Sequence, residues 1–334
     1  MDLLDRLLKK TRYDLMNISS NIVGVGKGFK TIHGETTNKG SVVVLVNKKL
    51  PPEALSKREK VPAKIYDVET DVIEVGDIRL LGHTDYMRPA PPGVSIGHYK
   101  ITAGTFGAVV KDKATKKTLL LSNNHVFANS SNGRDGRCRI GDPIYQPGPY
   151  DGGTKDQLIG YLERFIPISR EYTQAACPKA AALERVGNKI LHSVKPNYRM
   201  SLFKKSSVCN LVDAAVARPI SYDAITPKIL DIGYVRGVKE ISLGMKVKKS
   251  GRSSGFNTGM VRVLSTTLKV SLGENDNVYF TDQVIAGPMA SPGDSGALVL
   301  DENNYAVGLL FAGSESATII NRIQNVMDLL KVEF

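Results

Sequence analysis

The sequence predicts a mainly β protein, in which a small α/β unit precedes a sandwich or barrel of short strands. Short apolar, β-branched runs recur at spacings of about 8–15 residues, as expected for strands joined by turns. The chain contains 31 glycines and no tryptophan, and frequent glycine suits tight turns between strands. Its 334 residues are enough for two domains.

Residues 1–90 are predicted to form the α/β unit. Four leucines at near-helical spacing predict an amphipathic helix over residues 2–16 that packs on its own domain. A membrane-surface anchor is the alternative for this helix. Strands are predicted near 41–47 and 65–75. The run GVGKG lacks the spacing of a phosphate-binding loop and is interpreted as a glycine-rich strand edge.

The run RPAPPGVSIG at 88–97 resists both helix and central strand, so the domain boundary is placed there. Residues 91–334 then form the larger, strand-rich domain. A helix is predicted at 178–192, because Pro178 suits the first helical position. It lies in a basic insertion at about 164–205. Apolar residues on one stripe predict a second helix at the C-terminal end.

The chain is basic, with a formal net charge of +12 and a pI of about 9.4. Nine Lys/Arg against two acids place +7 of this charge in residues 164–205. Such charge favours an anionic partner such as nucleic acid or a lipid surface, or belongs to a basic soluble protein with neither. The cations are not interleaved with aromatic residues as in single-strand binders, so nucleic-acid binding is not expected.

Three cysteines, Cys138, Cys177 and Cys209, form no CxxC pair. An odd number without such spacing argues against a disulfide framework or a zinc site. The start MDLLDRLLKK has acids at positions 2 and 5 and no long apolar core, so we expect no secretory signal. No stretch approaches the ~18 apolar residues of a membrane-spanning helix. We therefore expect a cytoplasmic protein without a transmembrane segment.

The motif GDSG at 293–296 suits a nucleophilic serine. A serine hydroxyl needs a base to accept its proton, and the reaction needs donors for the oxyanion. The flanking glycines permit a sharp turn, so the N–H groups of Gly293 and Ser295 can converge on one point. The alternative is a Gly-Asp turn between strands, and the motif alone does not decide.

His125 and Asp213 are the best candidates for the base and for the acid that orients it. His125 follows an apolar strand in LLLSNNHVF. Asp213 is predicted to lie inside an apolar strand, NLVDAAVARP, where an unpaired carboxylate is costly and a partner such as His125 would offset the cost. An aspartate that caps a turn is the alternative. The contexts of the other histidines are more typical of surface residues: His33, His83, His98 and His192.

In this chain order, SNNHV, LVDAAVAR and SPGDSGALVL resemble the trypsin/chymotrypsin-fold serine peptidases. KKSGRSSGFNTGMVR resembles the opening of their second barrel, VGLLFAGS their substrate-binding strand, and ATIINRIQNVMDLL their closing helix. The resemblance covers roughly 100–334 and is nearest to intracellular bacterial trypsin-like peptidases and the plant narrow-leaf type. Those also have a small N-terminal α/β domain and a run like QPGPYDGG at 146–153. It implies a double β-barrel with a C-terminal helix.

The resemblance also implies roles for individual residues. His125 would be the general base, Asp213 its orienting acid and Ser295 the nucleophile of a triad. The N–H groups of Gly293 and Ser295 would form the oxyanion hole. No free amino terminus is evident near the start of the protease domain, so another group must hold the loop at Asp294.

The resemblance places the floor of the specificity pocket six residues before the nucleophile, at Met289. The walls would lie near Phe311 and Gly313. Met289 differs from the aspartate that selects Lys or Arg, so we expect a preference for small or apolar P1 residues.

The expected function is serine endopeptidase action on a protein or peptide substrate, through an acyl-enzyme and with no metal or other cofactor. The alternative is a catalytically silent protease fold used as a scaffold or binding module. The sequence leaves open whether the protein is a monomer or a homo-oligomer.

Overall fold

A computed structural model describes residues 3–32, 35–76, 82–174, 177–205, 208–272 and 276–334. The chain divides into two compact units, residues 1–81 and 82–334. The proline-rich run at 88–97 belongs to the second unit by its contacts, because Ala90 bridges Ile225. The division by contacts therefore lies a few residues before the boundary predicted from composition.

The first unit is a four-stranded sheet with one helix. The strand order is β1-β2-β4-β3, in which β1 and β2 are antiparallel and β2 and β4 are parallel. The elements are α1 (Leu3–Met16), β1 (Ile22–Ile32), β2 (Glu35–Val46), β3 (Lys64–Ile65) and β4 (Val68–Glu74).

Helix α1 packs on the sheet of its own unit. Leu7 and Leu15 are buried in one cluster with Val42 of β2, which confirms the predicted packing of this helix. The run GVGKG lies within β1, as the strand interpretation predicted. Among the described residues, no helix is long and apolar enough to span a membrane.

The second unit contains two sheets. The elements of its first half are β5 (Ser95–His98), β6 (Gly104–Thr105), β7 (Ala108–Asp112), β8 (Thr118–Ser122), α2 (Asn124–Phe127), β9 (Pro143–Tyr145), β10 (Leu158–Phe165), β11 (Tyr172–Gln174), α3 (Pro178–Val194), β12 (Phe203–Lys205) and β13 (Ala215–Pro219). Those of its second half are β14 (Gly237–Val238), β15 (Lys246–Gly251), β16 (Gly255–Ser271), β17 (Asn277–Ala286), β18 (Leu298–Asp301), β19 (Tyr305–Gly313), β20 (Thr318–Arg322), α4 (Ile323–Leu330) and β21 (Val332–Glu333). Short 3₁₀ turns lie at Pro52–Ala54, Pro149–Asp151, Lys155–Gln157 and Tyr222–Ala224.

The first sheet has the order β21-β7-β8-β13-β10-β9-β5-β6. Only Phe106 and Gly107 separate β6, at one end of this order, from β7, near the other end, so the chain itself links the two ends of a half-barrel. The second sheet has the order β14-β19-β18-β15-β16-β17-β20, and β20 pairs back with β19, which closes the ring. Closure of this kind leaves fewer backbone groups unpaired at a sheet edge.

Each barrel has its own apolar interior, and a third cluster lies between the barrels. That third cluster joins Val212 and Ala214 of the first barrel to Leu298 and Leu309 of the second, and α4 covers it. The architecture is the double β-barrel of the trypsin-like fold with a C-terminal helix, as the sequence predicted. The terminal helix begins at Ile323, so the earlier part of the predicted stripe lies in β20.

A segment of the first barrel extends outward between β10 and β13. It comprises the antiparallel pair β11 and β12 with α3 between them. The helix predicted at 178–192 is confirmed and runs over Pro178–Val194.

Candidate active site

The candidate site lies where the two barrels meet. A cavity of ≈ 920 Å³ has all three predicted triad side chains in its wall. A separate cavity of ≈ 350 Å³, lined by Tyr222 and Tyr234, contains none of them. His125 and Asp213 come from the first barrel and Ser295 from the second. The structure thus brings together three residues that are far apart in sequence.

His125 lies in α2, the single helical turn that follows β8. Its Nδ1 lies 2.6 Å from Asp213 Oδ2, and its backbone N–H donates to Asp213 Oδ1 at 3.2 Å. One carboxylate oxygen thus contacts the ring of His125 and the other accepts from its backbone, so that the ring is held against Asp213. The His125 side chain is 26% exposed, so one side of the ring remains open to the cavity.

Asp213 is buried between Val212 and Ala214, with 1% of its surface exposed. It precedes β13 by two residues, which corrects its predicted position inside a strand. Asn321 Oδ1 accepts the Asp213 N–H at 3.0 Å, and Asn123 Nδ2 donates to the Asp213 carbonyl at 2.7 Å. These bonds hold the backbone, so that the carboxylate faces the imidazole.

Ser295 lies in the loop before β18. Gly293 and Gly296 have φ of 100° and 95°, a left-handed region that favours glycine. A Cβ on Gly296 would also lie 2.4 Å from the Thr105 carbonyl oxygen. Among the described residues, Ser295 Oγ donates to the Phe311 carbonyl at 3.2 Å and forms no hydrogen bond with His125.

The N–H groups of Gly293 and Ser295 form no hydrogen bond within the described part of the chain. The Pro292 carbonyl, in the same peptide unit as the Gly293 N–H, accepts from Ser253 Oγ at 2.6 Å. In a trans peptide the C=O and N–H point in opposite directions. Because the Pro292 carbonyl points towards Ser253, the Gly293 N–H points away from Ser253. This N–H is therefore available to a ligand.

Ser253 is itself held by a pair that joins the two barrels. Arg252 Nη1 donates to Ser253 Oγ at 2.9 Å. The same guanidinium donates to both carboxylate oxygens of Asp151, with Nε and Nη2 each at 2.6 Å. Asp151 belongs to the QPGPYDGG run, so that segment supports the loop that carries Ser295. Thr105 Oγ1 donates to the Gly293 carbonyl at 2.9 Å and fixes the next peptide.

Asp294 is fully buried and faces away from the histidine. It accepts hydrogen bonds from Lys249 Nζ at 2.7 Å and from Ser254 Oγ at 2.5 Å. Backbone N–H groups of Ser253 and Ser291 also donate to it, at 2.8 and 2.9 Å. Asp294 thus anchors the loop, as predicted, and the group that the sequence left unidentified is Lys249.

The environment of this pair shifts the pKa of both groups. Burial raises the pKa of Asp294, but hydrogen bonds from Lys249, Ser254 and the Ser291 N–H outweigh it, so the pKa lies below the ordinary value. Burial lowers the pKa of Lys249, and Asp294 offsets this only in part. The lowered pKa of Asp294 means that the folded protein favours the charged form of this carboxylate.

Phe311 and Gly313 line the cavity, as the resemblance implied, but Met289 is not among its lining residues. Met289 is 3% exposed and packs in the interior of the second barrel. Its neighbour Ala290 lines the cavity together with Ile319. The predicted pocket floor at Met289 is corrected accordingly, because the side chain turns inward to the barrel core.

Of the other histidines that the structure describes, none lines this cavity, and one differs from its predicted environment. His98 is completely buried, and its Nε2 lies 3.0 Å from Asp142 Oδ2, so its interpretation as a surface residue is wrong. His83 is partly buried beside Asp231, and His192 is exposed on α3. His33 lies outside the described residues.

Lys249, Arg252 and Ser253 were not singled out as functional residues from the sequence. For Lys249 a usable signal exists, because strand alternation places it on the same face as the buried Val247. No comparable pattern marks Ser253, whose role depends on a carbonyl 39 positions later in the chain.

No protein-family model and no curated protein matches the chain. Solved structures similar to it include Thermobifida fusca protease A, with 15% identity, a TM-score of 0.45 and coverage of 73% of this chain and 96% of that one. Nocardiopsis protease has 15% identity, a TM-score of 0.46 and coverage of 73% and 97%. Cellulomonas bogoriensis chymotrypsin has 14% identity, a TM-score of 0.44 and coverage of 73% and 97%. The trypsin-like fold stated above follows from the strand pairings of the chain itself.

Proposed function

We propose that this protein is a serine endopeptidase with His125, Asp213 and Ser295 as its triad. The observation that carries the proposal is the contact of 2.6 Å between His125 Nδ1 and the buried Asp213, in the wall of the cavity that also contains Ser295. A buried carboxylate on Nδ1 selects the tautomer whose Nε2 can accept a proton.

In the proposed reaction, Ser295 Oγ attacks the carbonyl carbon of a peptide and its proton passes to His125 Nε2. His125 then gives this proton to the leaving amine, and an acyl-enzyme remains on Ser295. Water then attacks the ester carbonyl carbon and gives a proton to His125. When the bond from that carbon to Ser295 Oγ breaks, His125 returns the proton to Oγ, and the acid leaves. Asp213 stabilises the imidazolium cation formed in both halves without accepting the proton itself.

The hydrogen bond from Ser295 Oγ to the Phe311 carbonyl must break before this reaction. By the family resemblance, the strand that contains Phe311 pairs with the backbone of the substrate. A substrate N–H that donates to the Phe311 carbonyl would displace the serine hydroxyl and free it to turn towards His125. Hydrogen bonds among catalytic groups commonly form only once the substrate is bound.

The N–H groups of Gly293 and Ser295 are proposed to stabilise the oxyanion of each tetrahedral intermediate. Two preoriented donors in a partly buried site stabilise charge more strongly than water does, because they need no reorganisation during the reaction. The hydrogen bond from Ser253 to the Pro292 carbonyl supports this assignment, since it leaves the Gly293 N–H unbonded.

The proposed substrate preference is for small or apolar P1 side chains. Phe311, Ala290 and Ile319 give the cavity an apolar part. Two charged side chains, Lys269 and Glu315, also line the cavity, and both are exposed. We assign the apolar part to the P1 side chain and the exposed charges to positions further along the substrate.

Hydrolysis of an unstructured protein substrate tests the proposal. Wild type is expected to cleave it, and Ser295→Ala to lose about 10⁶-fold in kcat. Asp213→Asn should lose on the order of 10⁴-fold, since it removes the charge that selects the tautomer. Ser242→Ala, an exposed serine outside the cavity, is the control and should retain full activity. A wild type with no activity on any peptide library would favour the silent scaffold instead.

A further inference from the structure

Helix α3 exposes an aliphatic stripe to solvent. Leu183, Val186, Ile190 and Val194 are spaced by three, four and four residues, which places them on one helix face. Their exposed fractions are 58%, 57%, 65% and 73%. Such a stripe normally packs on the core of its own domain, so its exposure here indicates a surface that contacts something else.

The face of α3 next to the stripe is already packed. Asn188 donates to the Met200 carbonyl at 2.9 Å and accepts its N–H at 2.7 Å. Gly187 lies so close to Met200 that a Cβ would be 2.2 Å from its methyl carbon. Glu184 accepts the Leu202 N–H at 2.6 Å. The return segment thus fixes which face is outward, and the single acid of the helix points away from the stripe.

The helix that carries the stripe is basic. Within the described ranges, none of the following exposed side chains of α3 and its C-cap forms an ion pair: Lys179, Arg185, Lys189 and Lys195. We call the four aliphatic residues and these four cations the docking face. Two exposed aromatic residues of the return segment, Tyr198 and Phe203, are each 63% exposed. Aliphatic, aromatic and cationic groups in one segment match the chemistry of the interface between headgroups and acyl chains.

Hydrogen bonds at Ser169, Arg170 and Asn210 anchor the two ends of the segment that contains the docking face. Asn210 accepts the Ser169 N–H at 2.8 Å and donates to the Ser169 carbonyl at 2.9 Å. Arg170 donates to both carboxylate oxygens of Asp276 at 3.0 Å and to the Ser130 carbonyl at 2.7 Å. Because Ser130 lines the cavity, the base of this segment at Arg170 contacts the wall of the candidate active site.

We propose that the docking face binds the surface of an anionic lipid bilayer. The stripe would enter the headgroup region while the cations contact anionic headgroups. The positive charge and the aliphatic stripe of the docking face together distinguish between three possible partners: a second copy of the chain, a nucleic acid and a bilayer. A second copy would oppose two faces of like charge, and a nucleic acid would leave the aliphatic stripe without a partner. An anionic bilayer satisfies both parts of the face. The proposal does not depend on the chemistry of Ser295.

Co-sedimentation of the full chain with vesicles tests the proposal. Wild type should bind phosphatidylcholine vesicles that contain about 30% phosphatidylserine at least tenfold more tightly than pure phosphatidylcholine vesicles. Val186→Ser with Ile190→Ser, and separately Arg185→Glu with Lys189→Glu, should each weaken this binding about tenfold or more. The matched controls are Leu243→Ser, which removes an aliphatic side chain that is 64% exposed elsewhere, and the exposed Lys228→Glu. Both should bind as wild type.

The absence of tryptophan provides a second measurement. Ile190→Trp places a single indole in the stripe, and its emission should shift to shorter wavelength when phosphatidylserine vesicles are added. Brominated acyl chains should quench it. Leu243→Trp is the control and should show neither effect. Both positions are exposed, so neither variant needs the core to repack.

Three results would overturn the proposal. Wild type could fail to bind phosphatidylserine vesicles. The serine variants of the stripe could bind them as tightly as wild type, which would exclude the docking face as the contact. Binding to polyglutamate or to an RNA oligomer, with loss in the same variants and no vesicle binding, would assign the face to an acidic protein or to nucleic acid.

Discussion

Lys249 Nζ lies 2.7 Å from Asp294 Oδ2, and both side chains are completely buried. Lys249 belongs to β15 and Asp294 to the loop that carries Ser295. The ion pair therefore joins β15 of the second barrel to the loop that carries Ser295. In the proposed enzyme it keeps the oxyanion loop in shape without a newly formed amino terminus.

Replacement of Lys249 by Met should destabilise the protein and abolish activity. It leaves Asp294 as a buried charge without its cation, and loss of one partner of a buried pair costs about 3–5 kcal/mol. Urea unfolding and peptide hydrolysis measure the two effects. Lys248→Met is the control, since that side chain is only half-buried and bonds the Glu302 carbonyl. Full activity in Lys249→Met would show that the pair does not shape the loop.

Stability should decrease in acid because the pKa of Asp294 is lowered in the folded protein. A depressed carboxyl pKa contributes stability that is fully present above the ordinary value of 3.8 and is lost as the pH falls through the folded-state pKa. The measurement is the free energy of unfolding between pH 2 and pH 6, in wild type and in Asp294→Asn. The variant should be less stable than wild type at pH 6 and should show a shallower decrease below about pH 4. Identical slopes would contradict the assignment.

Chain order and local context were sufficient to predict the fold class and the meeting of His125, Asp213 and Ser295 in one cavity. Each lies beside a short apolar run whose strand character is visible in the sequence. Met289 was misplaced because a position counted from the nucleophile does not show which way a side chain turns, and here it packs in the barrel. Lys249 was missed because a lysine is normally exposed, and only its distant partner makes burial tolerable.

The exposure of the docking face was likewise not predictable from the sequence. The spacing of Leu183, Val186 and Ile190 places them on one helix face, and such a face normally packs on the core, yet all three are exposed. The return segment at Met200 and Leu202 decides which face packs, because it occupies the neighbouring face through Asn188 and Glu184. Contacts between segments of this kind have no periodic signature in the sequence.

Ser253→Ala should lower kcat about tenfold or more with little change in KM, a smaller effect than loss of an oxyanion donor itself. Without the hydroxyl, the Pro292 carbonyl loses its partner and the Gly293 N–H is no longer held in one orientation. Ser253→Thr keeps a hydroxyl and should restore most of the rate. A loss of kcat that is accompanied by a loss of folding stability would instead indicate a purely structural role. Failure of Ser253→Thr to restore kcat would indicate the same.

A peptide library should be cleaved after small or apolar residues. The apolar part of the cavity contains Ala290, Phe311 and Ile319, and no described lining residue is an aspartate other than Asp213, which is bound to His125. Sequencing of the cleaved products gives the preference. Strict cleavage after Lys or Arg would contradict it and would point to Glu315 as the residue that selects the P1 side chain.

Covalent labelling with a fluorophosphonate, followed by mass spectrometry of the labelled peptide, tests the central claim most directly. The reagent reacts with a serine only when a base and an oxyanion site activate it. We expect a single adduct on Ser295 in wild type, none in Ser295→Ala, and much slower labelling in His125→Ala. An adduct on another serine, or an unlabelled wild type that is fully folded, would contradict the assignment of Ser295 as the nucleophile.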